Sequence, residues 1–369
     1  MKILILTCNT GGGHNSAALA LKSYFDNKNI HCDIADFLSF GKEIANNIIC
    51  NGHVFIYRHA PKLFEIGYKL SESETTKHKK TIIYKYCSKY ADKLYEFLKQ
   101  SNYDYIISVH VFASLALDYI KKNMDSSIYA CHLSTDYACY PEIANTNLDK
   151  YFIAHSKLKN AHIECGIAAE KIIPSGIPVR DIFFENKMTK QEARRALNIS
   201  NEKKLIIVAG GSMGCGPIED IAEKLINNYK NKCNIAVICG SNEKLYDTLK
   251  KYPELILFGF VSDIEVHMAA ADILITKAGG LTITEAAALS RPIVFINAVS
   301  GCEAYNREFF SQNTYALSSY DVDKVIENVG LLLSDEFLYN KIKNNLDKDF
   351  NIPAQKIIFD ELSEGSTIV

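Results

Sequence analysis

The chain opens with a short apolar run, KILILTCN at residues 2–9, which breaks at once into Gly11-Gly12-Gly13-His14 and then a helical pattern from Ser16 to Phe25. An apolar strand, a glycine turn and a helix in direct succession constrain the fold strongly. Such a strand is covered on both faces, and the helix after it leads to a parallel neighbour. The plan starts again at KLIIVAGGSMGCG, residues 204–216, followed by a helix from Pro217 to Tyr229. Strand candidates at 103–110, 127–134, 150–156, 234–240, 255–260, 272–276 and 292–297 alternate with helical stretches. Two doubly wound α/β domains follow. A chain of 369 residues, 48% hydrophobic, is large enough to give each its own core. The N-terminal domain is expected at 1–178 and a hinge at 179–200, just after the Pro174 and Pro178 pair. The second domain is expected at 201–345. A last segment, 346–369, contains the amphipathic stretch Ala354 to Leu362, expected to cross back onto the first domain.

Charge and cysteine usage exclude several classes. Residues 1–180 carry 21 Lys+Arg against 17 Asp+Glu, and the remainder 20 against 26. That asymmetry lacks the concentrated basic stripe of a nucleic-acid binder, but it suits a first half that meets an anionic surface. None of the eleven cysteines forms a CxxC pair, so neither a zinc site nor a disulfide framework is indicated and the thiols read as reduced. The run MKILILTC ends in glycines instead of a cleavage-type site, and no stretch of about eighteen apolar residues occurs. A cytoplasmic protein that touches membranes peripherally is expected.

Ligands of open parallel sheets bind beyond the carboxyl ends of the strands. TKAGGLTITEAAAL, 276–289, places two glycines after a strand and a helix starting near Thr282, so free N–H groups and the helix dipole suit an anion. Glu285 has the chemistry to accept two ribose hydroxyls. The local pattern fits equally a helix that uses glycine for a tight turn and an acidic first turn for its dipole. The longer run DILITKAGGLTITEAAALSRPIVFINAVSGCEAYNREFF resembles the donor signature of glycosyltransferase family 28, whose members glycosylate diacylglycerol or lipid I. The resemblance implies the GT-B architecture, two Rossmann-like α/β domains facing a cleft, and a UDP-sugar donor. It implies that Glu285 holds the uridine ribose and that Gly279, Gly280 and Thr282 approach the diphosphate, with Lys277 and Leu281 in the same donor-binding set. Glu303 and Asn306 match the sugar-gripping residues, but Cys302 stands where the family has Gln. Gly211 and Ser212, in the second glycine turn, are expected at the phosphates, and Phe260 and Val261 at the base. Arg180, in GIPVR, is a candidate for the diphosphate, with an interdomain salt bridge as the plainer alternative.

In the first half, Gly12, Gly13 and His14 lie at a helix start where three glycines suit close approach to a ligand. By the same resemblance this loop serves the acceptor and the diphosphate. His14 or Asp136, in HLSTDYACYPE, is the candidate base for the acceptor hydroxyl, with His110 third; a turn or cap role for Asp136 is the alternative. Direct displacement inverts the anomeric centre. No cofactor beyond the donor and no metal are expected, because Asp321-Val322-Asp323 and Asp347-Lys348-Asp349 read as solvated faces. Residues 58–93 carry nine Lys+Arg, four acidic residues and interleaved aromatics, a composition for anionic headgroups; an amphipathic helix covering the sheet is the alternative. The combined expectation is an inverting hexosyltransferase acting on a membrane lipid, diacylglycerol foremost. A polyprenyl-linked acceptor, a nucleotide-sugar 2-epimerase and a non-catalytic UDP-sugar sensor are the other readings.

Overall fold

The computed structural model describes residues 1–9, 12–41, 82–185, 187–296 and 301–365; the side chains of Ile82 and Cys302 lie outside the described set. The chain forms two compact units, one of Met1–Arg180 with Ile352–Val369 and one of Asp181–Asn351.

The first unit is built on six parallel strands: β1 (Lys2–Thr7), β2 (His31–Asp36), β3 (Tyr105–Ser108), β4 (Ala130–Leu133), β5 (Lys150–Ile153) and β6 (Ile172–Pro174). Their order is β2-β1-β3-β4-β5-β6. Along β1 the side chains alternate between two cores. Ile3 and Ile5 pack with Leu21, Phe25, Ile358 and Leu362 on one face. Leu4 and Leu6 pack with Leu94, Ile106 and Leu115 on the other. Burial on both faces is what a continuous apolar run requires, with period two deciding which residue goes where.

The second unit repeats the plan with β7 (Lys204–Ala209), β8 (Cys233–Ile238), β9 (Leu255–Phe258), β10 (Ile273–Thr276), β11 (Ile293–Phe295) and β12 (Ala316–Ser318). The order is β12-β11-β10-β7-β8-β9, all parallel. The segment joining the sheets folds with this unit. Thr189 and Glu192 form a capping box that starts the Lys190–Ala196 helix. From that helix the buried Arg194 side chain donates to Ala270 O, Lys203 O and the Asp272 carboxylate.

β2, β6 and β12 carry no clear apolar run in the sequence, and each lies at an edge of its sheet. β2 reads HCDIAD, with only Cys32 buried, and so lacks the pattern that marks a central strand.

In each sheet the chain reverses direction across the strand order at one place: between β1 and β3 in the first, between β7 and β10 in the second. Helices leave the sheet on opposite sides of such a point, and the crevice left at the carboxyl ends is where open α/β sheets bind ligands. Both glycine turns lie there, after β1 and after β7.

Candidate active site

At the first switch point the helix Gly12–Asn27 begins directly after β1. A Cβ added to Gly12 or Gly13 would meet nothing within 4 Å, and neither glycine has a positive φ. Packing among the described residues therefore does not require glycine at either position. The end of β1 is held by a hydrogen-bonded series in which Thr7 Oγ1 donates to Asn15 Oδ1, Asn15 Nδ2 to Asn9 Oδ1 and Asn9 Nδ2 to Asp36 Oδ2.

His14 stands on the first turn of that helix, half-buried, with Nδ1 2.9 Å from Val109 O. A carbonyl only accepts, so this contact assigns the proton to Nδ1 and leaves the lone pair on Nε2. Thr135 Oγ1 also lies 2.9 Å from Nδ1 and fixes the ring from the loop after β4. Burial lowers the His14 pKa from its ordinary value, and the Val109 hydrogen bond opposes that shift. The ring is neutral, oriented and basic at Nε2.

His110 meets His14 edge to face, with ring centroids 4.7 Å apart. It is the N-cap of the Val111–Asn123 helix, its Nδ1 accepting from Phe112 N at 3.1 Å. A neutral ring used this way carries its proton on Nε2, the opposite tautomer to His14. Of the two, His14 alone has the form of a base at Nε2. Asp136 follows Thr135 in the same loop and is half-buried. Beneath them His132 bonds Ser114 Oγ at 2.9 Å, and burial drives its pKa to about 3. It is a neutral core residue. Thr135 and the Val109 carbonyl belong to the site but were not expected from the sequence. A carbonyl has no residue-type signature, and Thr135 offered only its place beside Asp136.

In the second unit the helix after β10 begins at Gly280, two residues before the expected start, and its N-cap Gly279 makes no side-chain cap. Glu285 is thus the sixth helical residue and is buried, 8% exposed. The first turn has no acidic residue, so the dipole explanation of Glu285 does not hold. Lys277, between strand and turn, donates from Nζ to Glu303 Oε1 at 2.5 Å across the glycines; a Cβ added at Gly279 would be in van der Waals contact with both. Asn306 is fully buried and donates Nδ2 to Ala278 O at 2.9 Å, pinning the Cys302–Gln312 helix to the turn. Gly211 has φ +74°, and a Cβ there would come 2.8 Å from Lys277 Cε. The two glycine turns therefore meet at Lys277. Leu281 and Thr282 are half-buried in the first helical turn, and Ser212 is exposed.

Phe260 and Val261 follow β9, three strands from β10, and Phe260 is 70% exposed. Arg180 is exposed at the end of the first unit's long segment. Asp321 caps the Val322–Ser334 helix, Asp323 pairs with Lys224, and Asp349 accepts from Tyr315. Of the basic aromatic stretch 58–93, residues 58–81 fall outside the described set. In the remainder Tyr84, Tyr86 and Tyr90 pack onto the first core, while Lys85, Lys89 and Lys93 are exposed.

The sequence was compared with known proteins. Residues 14–179 match the family model described as monogalactosyldiacylglycerol (MGDG) synthase. Residues 205–353 match the glycosyltransferase family 28 C-terminal domain. The chain belongs to glycosyltransferase family 28. The first match begins at His14 and takes in the whole imidazole group; the second takes in both glycine turns. Relatives of this family 28 enzyme include a protein named processive diacylglycerol beta-glucosyltransferase from Bacillus licheniformis, 26% identical over 100% of this chain and 96% of the relative. One of the same name from Bacillus cytotoxicus is 29% identical over 91% and 86%. Among solved structures, Acinetobacter baumannii MurG aligns with TM-score 0.64 and 15% identity, covering 99% of this chain and 100% of that one. S. aureus MnaA with UDP aligns with TM-score 0.65 and 14% identity, covering 100% and 98%. At such identity these two speak for the fold, which is GT-B.

Proposed function

We propose that this glycosyltransferase moves a hexose from a UDP-sugar to diacylglycerol, with inversion, giving a β-glycosyl glycolipid at the membrane face. The observation that carries the reading is the His14 tautomer. An imidazole held as Nδ1–H by a backbone carbonyl presents the Nε2 lone pair that a general base needs. Nε2 takes the proton of the acceptor hydroxyl, and the oxygen forms its bond to the anomeric carbon. The bond from that carbon to the β-phosphate oxygen breaks, and UDP leaves. The developing diphosphate charge is met by the Lys277 ammonium and the uncapped N–H groups at Gly280. Glu285 holds the ribose, and Glu303 the sugar hydroxyls.

Diacylglycerol is the acceptor named in the full-length relatives, and glucose the sugar. Cys302 in place of Gln removes one amide from the sugar side, so the donor is tested openly. Among the described residues no helix is long and apolar enough to cross a membrane. Peripheral attachment through residues 58–93 is part of the proposal, supported by the exposed Lys85, Lys89 and Lys93. The test is to incubate the purified protein with labelled UDP-glucose, UDP-galactose or UDP-N-acetylglucosamine and diacylglycerol micelles. UDP-glucose is expected to give a labelled β-linked glycolipid. Label recovered only as an epimerised nucleotide sugar, or no product from any donor, would sink the reading.

A further inference from the structure

His14 Nδ1 has two partners of different kinds, the Val109 carbonyl and the Thr135 hydroxyl, each at 2.9 Å. The carbonyl only accepts, so a ring turned towards it carries its proton on Nδ1. The hydroxyl can also donate, so a ring turned towards Thr135 can leave Nδ1 bare and carry the proton on Nε2, where the base is lost. The tautomer therefore follows the angle of the ring, and the angle is held by what packs against it. His110 packs there, its ring 4.7 Å from that of His14 and inclined at 71°. Behind it Phe112 stands 4.7 Å from His110, again at 71°. Tyr86 follows 6.4 Å from Phe112, and Tyr90 4.9 Å from Tyr86. We propose that His110, backed by Phe112 and Tyr86, is a positioning residue that holds His14 at the angle keeping Nε2 unprotonated. Its value to turnover rests on the reading of His14 as the base.

The row is anchored at both ends. His110 is buried, and its Nδ1 caps the Val111–Asn123 helix by accepting from Phe112 N at 3.1 Å, which fixes the ring that faces His14. Tyr86 lies on the helix Ile82–Ser88, which is tied to the Val111–Asn123 helix a second time where Tyr84 OH donates to the Asp118 carboxylate at 3.1 Å. Asp118 is fully buried and also accepts from Lys122 Nζ at 2.8 Å and Asn147 N at 2.7 Å. Every ring contact from Tyr90 to His14 is edge to face, an arrangement that aromatic rings prefer. A plain cap needs none of this. Ser, Thr, Asp or Asn starts a helix without a ring, so capping alone does not account for a histidine at 110, whereas an edge-to-face partner for His14 does.

The test separates the ring from the cap. His110→Asn keeps a side-chain acceptor for Phe112 N and deletes the ring. Phe112→Leu fills the space behind His110 without a flat face, and Phe112→Tyr keeps that face. The full chain is labelled with nitrogen-15 histidine, and the Nδ1 and Nε2 signals of His14, assigned by their loss in His14→Ala, report its tautomer near neutral pH. The unaltered protein and Phe112→Tyr are expected in the Nδ1–H form alone, His110→Asn and Phe112→Leu as a mixture with the Nε2–H form. The kcat of the last two is expected to fall about fivefold, the worth of one aromatic contact, with KM for the donor unchanged. Combining them should cost no more than His110→Asn alone, since Phe112 acts through His110. The nitrogen signals need no acceptor, so failure of the base reading and failure of this proposal appear in different measurements. A pure Nδ1–H signal in His110→Asn, or losses that add in the double variant, would overturn the proposal.

Discussion

His14 and His110 are two imidazoles in ring contact at the end of one sheet, with opposite tautomers imposed by their backbone partners. Replacing His14 by Ala removes the Nε2 base and is expected to lower kcat by about 10²–10⁴-fold, the usual worth of a positioned base. UDP affinity, measured by calorimetry, is expected to change little, because Glu285, Glu303 and Asn306 lie in the other unit. His110→Ala is expected to weaken a helix cap and stability more than turnover. Burial lowers the His14 pKa, so its neutral form persists to lower pH than a free imidazole's. The acid limb of kcat/KM against pH is therefore expected below the ordinary value of 6.5; a limb above it would assign the titration to another group. At this scale the sequence showed residue types but not partners. His14 was legible because three glycines precede it, and Glu285 because it follows a strand, a turn and a helix start. Val109 was invisible, since what matters is its carbonyl.

The elements themselves were readable wherever burial imposes a period. Apolar runs named the central strands; β2 escaped because an edge strand need not be apolar throughout, and β6 and β12 because three residues are too few to show a period. The glycine turns were legible as turns, but what each glycine is for was not. At Gly12 an added Cβ meets open space, whereas at Gly214 it would fall 2.1 Å from Cys239 O, with φ at +57°. The two are expected to respond oppositely to alanine. Gly12→Ala should leave the thermal midpoint within a degree or two, or raise it, because Ala is the better helix former, while raising KM by crowding the ligand. Gly214→Ala should destabilise by at least about 1–3 kcal/mol from the left-handed backbone alone, with the collision added. Thermal unfolding and substrate saturation of the pair check this. Equal loss of stability in both would mean that Gly12 is needed for packing after all.

Over the whole molecule, the pH dependence of stability is set largely by buried histidines. His14, His132 and His162 all lie in the first unit, and burial depresses each of their pKa values, His132 to about 3. Below 6.5 the unfolded chain takes up protons that the folded unit refuses, so stability present above that pH is lost as pH falls. The loss approaches about 1.4 kcal/mol per pH unit for each histidine. Between 6.5 and 5 the ordinary carboxylates have not yet titrated, so the slope of unfolding free energy in that window belongs to the histidines. Denaturant unfolding should show it, and His132→Asn should flatten it even if the variant is less stable throughout. The C-terminal helix Ala354–Gly365 bears on the same unit more directly. Its amphipathic pattern told that one face is buried, with the first domain expected as its cover, but not which residues it meets. Ile358 and Leu362 are 0% and 1% exposed, packed with Ile3, Ile5 and Leu21 on one face of the first sheet. Tyr105 donates to Leu362 O, Gln355 to Val179 O, and Lys150 pairs with Glu361 at 2.7 Å. Each of the two aliphatic side chains is worth about 1.5–3 kcal/mol when fully buried, which together rivals the whole margin of a modest domain. A chain stopped after Asn351 is therefore expected to lose cooperative unfolding of its first unit and to be cut there by protease under native conditions. The second unit, Asp181–Asn351, keeps every residue of its own core and should retain its thermal transition. Hydrogen exchange resolved by segment separates the two cases: fast exchange confined to β1–β6 is the expected result, and protection of β1 and β3 at the full-length level would show that the helix is dispensable to that core.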